Sequence, residues 1–136
     1  MPPLSPFAFV SNWMRSWGCI MRILHVEDNE DTRTLVAFVL EAEGWQTVSV
    51  DNPTAALSHA TSGGFDLYLI DNWMDGDSGK TLCAALRSID QDTPILFYSG
   101  AVLDVEMLRA SGAQGYLEKP CSPQALVSEI SKLTRR

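Results

Sequence analysis

Glu27 and Asp28 close a short run of β-forming residues, Arg22 to Val26, and Asp71 closes another, Phe65 to Ile70. Ser99 ends a third run, Ile95 to Tyr98, and Glu118-Lys119 end a fourth, Gln114 to Leu117. Three carboxylates, a hydroxyl and an ammonium are the parts of a pocket that holds a divalent cation and accepts a phosphoryl group. A carboxylate is a weak nucleophile, so such a transfer depends on positioning and on neutralising the phosphoryl oxygens. Magnesium suits this role, since it takes about six oxygen ligands, keeps several of them as water, and needs only one or two protein carboxylates. Clustered carboxylates repel one another without a cation, so metal should bind before any phosphoryl group arrives. Lys119 offers a point charge to the phosphoryl oxygens and an ion-pair partner to Asp71 beforehand. Ser99 can donate a hydrogen bond to a phosphoryl oxygen.

These side chains meet only if the four runs that carry them end on one rim. From residue 21 onward, short apolar runs alternate with segments of helical period. The strand runs lie at 22–26, 46–50, 65–70, 94–98 and 114–117, and the helical segments near 30–43, 53–61, 79–89, 101–111 and 122–134. Five βα repeats predict an α/β fold, a doubly wound five-stranded parallel sheet with helices on both faces. Leu67, Leu69 and Ile70, like Ile95, Leu96 and Phe97, read as strand residues covered on both sides. In the first helix Leu35, Phe38, Val39 and Ala42 share a face, and Gly44 follows as a C-cap. Asn52 before Pro53, and Ser122 before Pro123, set a capping side chain ahead of proline at the first helical position. Gly76 and Gly79 read as turn residues ahead of the third helix. Such sheets bind ligands beyond the carboxyl ends of their strands, where strand order reverses. The acidic residues, Ser99 and Lys119 fall on that rim.

Composition narrows the function classes. At 136 residues the chain has the size of one domain, without room for an output domain of ordinary dimensions. A net charge of -7 makes nucleic-acid backbones poor partners, because they demand clustered Lys and Arg. Cys19, Cys83 and Cys121 are odd in number and fit no metal-ligand spacing, which reads as reduced thiols in a cytoplasmic protein. No stretch approaches the roughly 20 apolar residues of a membrane span.

Residues 1–20 stand apart from the domain at 21–136. They hold one charged residue, Arg15, three prolines and two of the four tryptophans, leaving all seventeen acidic residues to the remainder. Pro2, Pro3, Pro6 and Asn12 spoil a signal-peptide pattern. One reading is a flexible extension or an upstream start codon, since Met21-Arg22-Ile23-Leu24 looks like a natural beginning. The other is an adhesive arm, in which Phe7, Phe9, Trp13 and Trp17 dock on the domain or on a partner.

Taken in order, the motifs over about residues 21–135 resemble a known family, the receiver domains of two-component response regulators. Glu27-Asp28 resembles the family's acidic pair, Asp71 its phosphoacceptor, Ser99 its hydroxyl residue and Lys119-Pro120 its Lys-Pro. Tyr116, three residues before the lysine, is similar to its aromatic switch. The resemblance implies a flavodoxin-like (βα)5 fold and a stand-alone, chemotaxis-regulator-like receiver. It implies magnesium, or manganese in its place, on Asp28, Asp71 and the backbone carbonyl of Trp73, with Glu27 acting directly or through water. It further implies that Ser99 draws its loop inward on phosphorylation and lets Tyr116 turn in behind it, changing the surface of the fourth helix, fifth strand and fifth helix. Trp73 and Ala101 fall at positions that tune access of hydrolytic water. The implied partners are a sensor histidine kinase or a histidine phosphotransfer protein, and a downstream protein target in trans. A homodimer stays open, and direct nucleic-acid or membrane contact is not expected.

Some residues depart from the family pattern or invite other readings. Asp75 stands where proline is common, and Asp77 adds further negative charge to the same loop. Asp71, Asp75 and Gly76 fit the start of a calcium loop, but Trp73 and Leu82 break it. No Gly-rich cradle follows the first strand, which argues against a nucleotide site. His25 reads as a packed strand residue, His59 as surface and Cys121 as an inert thiol; Lys119-Pro120 could be a cis peptide. A phosphohydrolase is disfavoured because Trp73, not a second aspartate, stands two residues after Asp71. The alternative to a phosphoacceptor is a receiver-shaped interaction module that works without phosphorylation.

Overall fold

Alternating strand and helix runs become alternating elements in the computed structural model, which describes residues 20–71, 78–100 and 105–135. In chain order they are β1 (Arg22–Val26), α1 (Glu30–Ala42), β2 (Gln46–Val50), α2 (Pro53–Ser62), β3 (Leu67–Asp71), α3 (Ser78–Ile89), β4 (Ile95–Ser99), α4 (Val105–Ala110), β5 (Gly115–Glu118) and α5 (Pro123–Thr134). All strand pairs are parallel, in the order β2-β1-β3-β4-β5. β3 and β4 thus take in Asp71 and Ser99 themselves, and Phe65 and Asp66 stay outside the strand. Asp66 instead binds the chain beside it, its carboxylate accepting from the Arg22 backbone N–H at 2.8 Å.

Every residue of β3 is buried, as are Ile95, Leu96 and Phe97 of β4, because helices cover both faces of the sheet. On one face Leu24, Val26, Ile70 and Phe97 pack with Ala56 and Ala60 of α2 and Leu82, Cys83 and Leu86 of α3. On the other Ile23, Leu67, Leu69 and Leu96 pack with Val36 and Leu40 of α1 and Leu126 and Ile130 of α5. Truncating one such side chain to alanine costs about 2–5 kcal/mol.

Helix boundaries follow local chemistry. Asn52 and Ser122 accept from the backbone N–H of Ala55 and Ala125, at 2.8 and 3.1 Å, ahead of Pro53 and Pro123. Gly44 takes φ +84° just past α1, where a side chain would be strained. Gly79, expected in a turn, is instead the second residue of α3 and is buried. The face of α1 also differs from the periodic grouping: Val36 and Leu40 turn to the sheet, while Leu35 and Phe38 are 63% and 73% exposed. The readings placed on residues 1–19, on Trp73, Asp75, Gly76 and Asp77, and on Ala101 lie outside the described residues.

At the opposite end from the acidic rim, Arg87 of α3 ties three segments together. It donates to the carbonyls of Gly112, Asp90 and Thr93 at 2.9, 3.0 and 2.7 Å. The Tyr68 hydroxyl donates to Asp90 at 2.6 Å. Such bonds fix where β4 begins and hence how far Ser99 reaches along the rim.

Candidate phosphoacceptor and metal site

Strand order reverses between β1 and β3, and the last residues of these neighbours lie side by side at the carboxyl rim. Glu27 follows β1 with its N–H donating to Val50 O at 3.0 Å, and Asp71 ends β3. Both are 1% exposed, whereas Asp28, one residue on, is exposed. Carboxylate oxygens of Glu27, Asp28 and Asp71 lie within 4.8 Å of one another. An oxygen-only set of this charge is the donor chemistry of a hard divalent cation such as magnesium, so the residues fit the metal that the sequence predicts.

Lys119 reaches the same point from the strand at the far side of β4. Its backbone N–H donates to Ser99 O at 2.6 Å, which carries the β4–β5 pairing one residue past β5 and aims the side chain across the rim. The ammonium donates to Asp71 Oδ2 at 2.8 Å and to Glu27 Oε1 at 3.2 Å. It also lies 4.9 Å from the centre of the Tyr98 ring, a cation–π arrangement. The Lys119-Pro120 bond is cis.

The electrostatics follow from burial. Desolvation, then the neighbouring Asp71 carboxylate, pushes the Glu27 carboxyl up to about 7 against the opposing pull of Lys119. Burial alone would lower the Lys119 ammonium, but Asp71 and Glu27 outweigh it and raise it. A buried carboxylate pair sharing one ammonium is short of positive charge, the condition under which a divalent cation binds.

Ser99 is fully buried at the end of β4. Residues in register on parallel strands face the same way, and every second residue shares a face. Phe97 pairs with Tyr116 and Ser99 with Glu118, so Ser99 and Tyr116 share one face of the sheet. The half-buried Tyr116 packs beside the α2–α3 core and donates its hydroxyl to Glu118 at 2.7 Å. That carboxylate raises the Tyr116 hydroxyl above its usual range.

Sequence reasoning missed two supports of the acidic pair. Arg33 of α1 donates to Glu27 O at 2.9 Å and Asp28 O at 3.4 Å, fixing the backbone that carries both carboxylates. Asn29 caps α1 by accepting from the Thr32 N–H at 2.9 Å, and its own N–H donates to Glu27 Oε2 at 3.3 Å. An Asn followed by two acids at a helix start could have revealed the second; nothing marks Arg33. His25 is packed in β1 as expected, its imidazole lowered to about 4 chiefly by burial. His59 is exposed, and Cys121 is half-buried with its thiol 3.7 Å from the Tyr98 hydroxyl.

Comparison with known proteins agrees with this geometry. The model of the response regulator receiver domain matches residues 23–131. The phosphate regulon transcriptional regulatory protein PhoB of Escherichia coli is 34% identical over 119 residues, covering 85% of this chain and 52% of PhoB. The DNA-binding response regulator MtrA of Mycobacterium tuberculosis is 32% identical over 117 residues, covering 85% and 51%. The chain thus spans about half the length of these relatives. Among solved structures, the Vibrio cholerae chemotaxis protein CheY4 superposes with a TM-score of 0.78 at 26% identity, covering 84% of this chain and 98% of CheY4. The BeF3-activated receiver domain of Klebsiella pneumoniae RstA gives 0.77 at 27% identity, covering 85% and 99%. With family match, parallel sheet and acidic rim in agreement, the chain belongs to the response regulator receiver domain family of two-component systems.

Proposed function

We propose that Asp71 accepts a phosphoryl group from a phosphohistidine of a sensor kinase or phosphotransfer protein, with magnesium, or manganese in its place, held by Glu27, Asp28 and Asp71. The observation that carries this reading is the Lys119 ammonium poised on both Asp71 and Glu27 within a cluster of three carboxylates. In the transfer a carboxylate oxygen of Asp71 bonds to phosphorus as the P–N bond to the donor imidazole breaks, and the imidazole leaves with a proton from solvent. The bound cation supplies positive charge for the phosphoryl oxygens. Lys119 moves part of its attraction from Asp71 to the incoming group, and Ser99 donates a hydrogen bond to it. Glu27 holds the lysine in place meanwhile, and Arg33 and Asn29 hold Glu27 and Asp28.

Tyr116, on the same face as Ser99, is the element whose position the phosphoryl group biases; in this state its hydroxyl is bound outward to Glu118. The signal then leaves by protein contact in trans. The protein is a phosphoacceptor that catalyses its own modification and its reversal rather than a turnover enzyme. The DNA binding named for MtrA belongs to a protein of about twice the matched length. A net charge of -7 gives this chain no electrostatic route to a phosphate backbone. Among the described residues no helix is long and apolar enough to cross a membrane, and we assign the chain to the cytoplasm.

The test is incubation with a small acyl phosphate donor and magnesium, read by intact mass beside an Asp71→Ala control. A phosphate-sized increment that needs both magnesium and Asp71 is expected. Equal increments in the control would assign the acceptor elsewhere. No increment from a cognate phosphohistidine donor either would favour an interaction module that works without phosphorylation.

A further inference from the structure

We infer that Tyr98 is a positioning residue for phosphoryl transfer, its ring serving as the platform on which Lys119 crosses the sheet to Asp71. The role follows from strand order. Lys119 leaves the end of β5, Asp71 ends β3, and β4 lies between them. Neighbouring strands are about 4.8 Å apart, so the lysine side chain has a whole strand to pass over. The β4 residue that it passes is Tyr98. Asp71 pairs in register with Tyr98, and Tyr98 with Leu117. In-register residues of parallel strands share a face, as does every second residue along one strand. Asp71, Tyr98 and Lys119 therefore line up on the α1–α5 side of the sheet, whereas Ser99 and Tyr116 lie on the other.

The contacts agree. The Lys119 ammonium lies 4.9 Å from the centre of the Tyr98 ring while it donates to Asp71 at 2.8 Å. The Cys121 thiol donates to the Tyr98 hydroxyl at 3.7 Å, so the segment after β5 meets the ring both at its face and at its hydroxyl. Half-buried Tyr98 packs against the core that holds Leu96 and Leu126. Elsewhere on this face β3, β4 and β5 present Leu67, Leu69, Leu96 and Leu117. Leucine would pack at position 98 as well. What an aromatic residue adds there is a negative ring face for a cation.

The contact matters most when the site is loaded. Asp71 and Glu27 hold the ammonium, but they also belong to the carboxylate set suited to a divalent cation. Carboxylates that share their charge with a cation pull less on Lys119, and Asp71 loses its charge once its oxygen is bonded to phosphorus. The attraction of the ring depends on neither carboxylate. Tyr98 thus keeps the ammonium over the rim while its ion pairs are exchanged for phosphoryl oxygens, a role that rests on Asp71 being the phosphoacceptor.

The test compares Tyr98→Leu, which keeps an apolar side chain without a ring, with Tyr98→Phe, which keeps the ring. The first readout needs neither phosphoryl donor nor metal. In NMR spectra of the full chain the Lys119 ε-methylene signal, assigned by its loss in Lys119→Arg, should lie upfield of those of Lys80 and Lys132, because it sits over a ring. It should join them in Tyr98→Leu and stay upfield in Tyr98→Phe, with the circular dichroism unchanged. The second readout is the rate of mass gain from an acyl phosphate with magnesium. The cation–π contact of a partly desolvated lysine corresponds to about fivefold, so Tyr98→Leu should react about fivefold more slowly and Tyr98→Phe within about twofold of the parent. A Lys119 signal unmoved in Tyr98→Leu would overturn the inference. So would a parent rate in that variant, or a Tyr98→Phe rate as low as that of Tyr98→Leu. A parent that gains no mass would instead remove the phosphoacceptor reading, and the role in transfer with it.

Discussion

Replacing Lys119 with methionine keeps most of the side chain's volume and removes its charge from between two buried carboxylates. The ammonium is 2.8 Å from Asp71 and 3.2 Å from Glu27. At an effective dielectric constant of about 20 these attractions are worth about 6 and about 5 kcal/mol before solvation is counted. Two effects shrink the sum. Withdrawing an ammonium from water takes back several kcal/mol. Glu27, whose carboxyl is pushed up by burial and by the Asp71 carboxylate, carries less than its full charge at neutral pH. Breaking a buried pair by removing one partner costs about 3–5 kcal/mol, and the lysine side chain keeps 22% of its surface in water, so a loss of about 3 kcal/mol is expected. The assay is urea unfolding at pH 7 of parent and Lys119→Met. Magnesium should restore part of the loss, because a cation held by the carboxylates answers the same deficit of positive charge. Adding Asp71→Asn to Lys119→Met should also recover stability, with a coupling of about 0.5–3 kcal/mol between the two sites. A loss below about 0.5 kcal/mol, the range of ordinary surface changes, would refute the view that this pocket is electrostatically strained and held by Lys119.

Other consequences can be read in the same protein. Ser99→Ala should slow phosphoryl transfer from an acyl phosphate by about tenfold or more, the worth of one hydrogen bond to a charged group at about 1.5–3 kcal/mol; an unchanged rate of mass gain would remove Ser99 from the phosphoryl site. Asp90 is held down at about 2 because hydrogen bonds from Thr93 and Tyr68 outweigh the cost of its burial. Its folded pKa lies below its unfolded one, so its contribution, cut by solvent screening to about 1 kcal/mol or less, is complete above about pH 4 and lost as pH falls through about 2. Asp90→Asn should flatten the stability curve over that window, and an acid limb identical to the parent's would contradict the assignment. The His25 ring nitrogens have no hydrogen-bond partner among the described residues. His25→Leu should therefore leave stability unchanged or raise it by about 1 kcal/mol; a loss of several kcal/mol on unfolding would point instead to a buried water bound there. Trp73→Ala should hasten loss of phosphate from Asp71 if the indole shields the acyl phosphate, and slower decay in the variant would reverse that role.

The fold and the rim were legible for one reason: the residues that set them act locally. β3 and β4 are runs whose every position is apolar up to the functional residue at the end, and a run covered on both faces has no other reading in an alternating chain. Asn52-Pro53 and Ser122-Pro123 state their helix starts in two residues each. What the sequence hid depends on direction. Arg33 supports the acidic pair by reaching back along its own helix to the carbonyls of Glu27 and Asp28, and an arginine at a solvated helix position carries no mark of that. Tyr116 is placed by its register with Phe97, but its outward bond to Glu118 is a choice of side-chain rotamer that spacing cannot specify.

The first helix shows the limit most clearly. Leu35, Phe38, Val39 and Ala42 form as good an apolar stripe as Val36, Val39 and Leu40, and periodicity alone cannot say which one meets the sheet. The choice is made outside the helix. Arg33 must stand where it can bond the carbonyls of Glu27 and Asp28, and Asn29 must cap the first turn while its N–H meets the Glu27 carboxylate. These contacts fix the rotation of α1 about its axis. With Arg33 turned toward the rim, Val36 and Leu40, one and two turns on, fall over Ile23 and Leu69, and Leu35 and Phe38 are carried outward. The bonds that steady the acidic pair are thus the same ones that turn an apolar stripe away from the sheet, so the pocket's geometry and the outward face of α1 have a common cause. Arg33→Ala should therefore act on both. It should weaken magnesium binding by loosening Glu27 and Asp28, and it should alter the exposure of Phe38, read by hydrogen exchange along α1. A change in one without the other would separate what the structure joins.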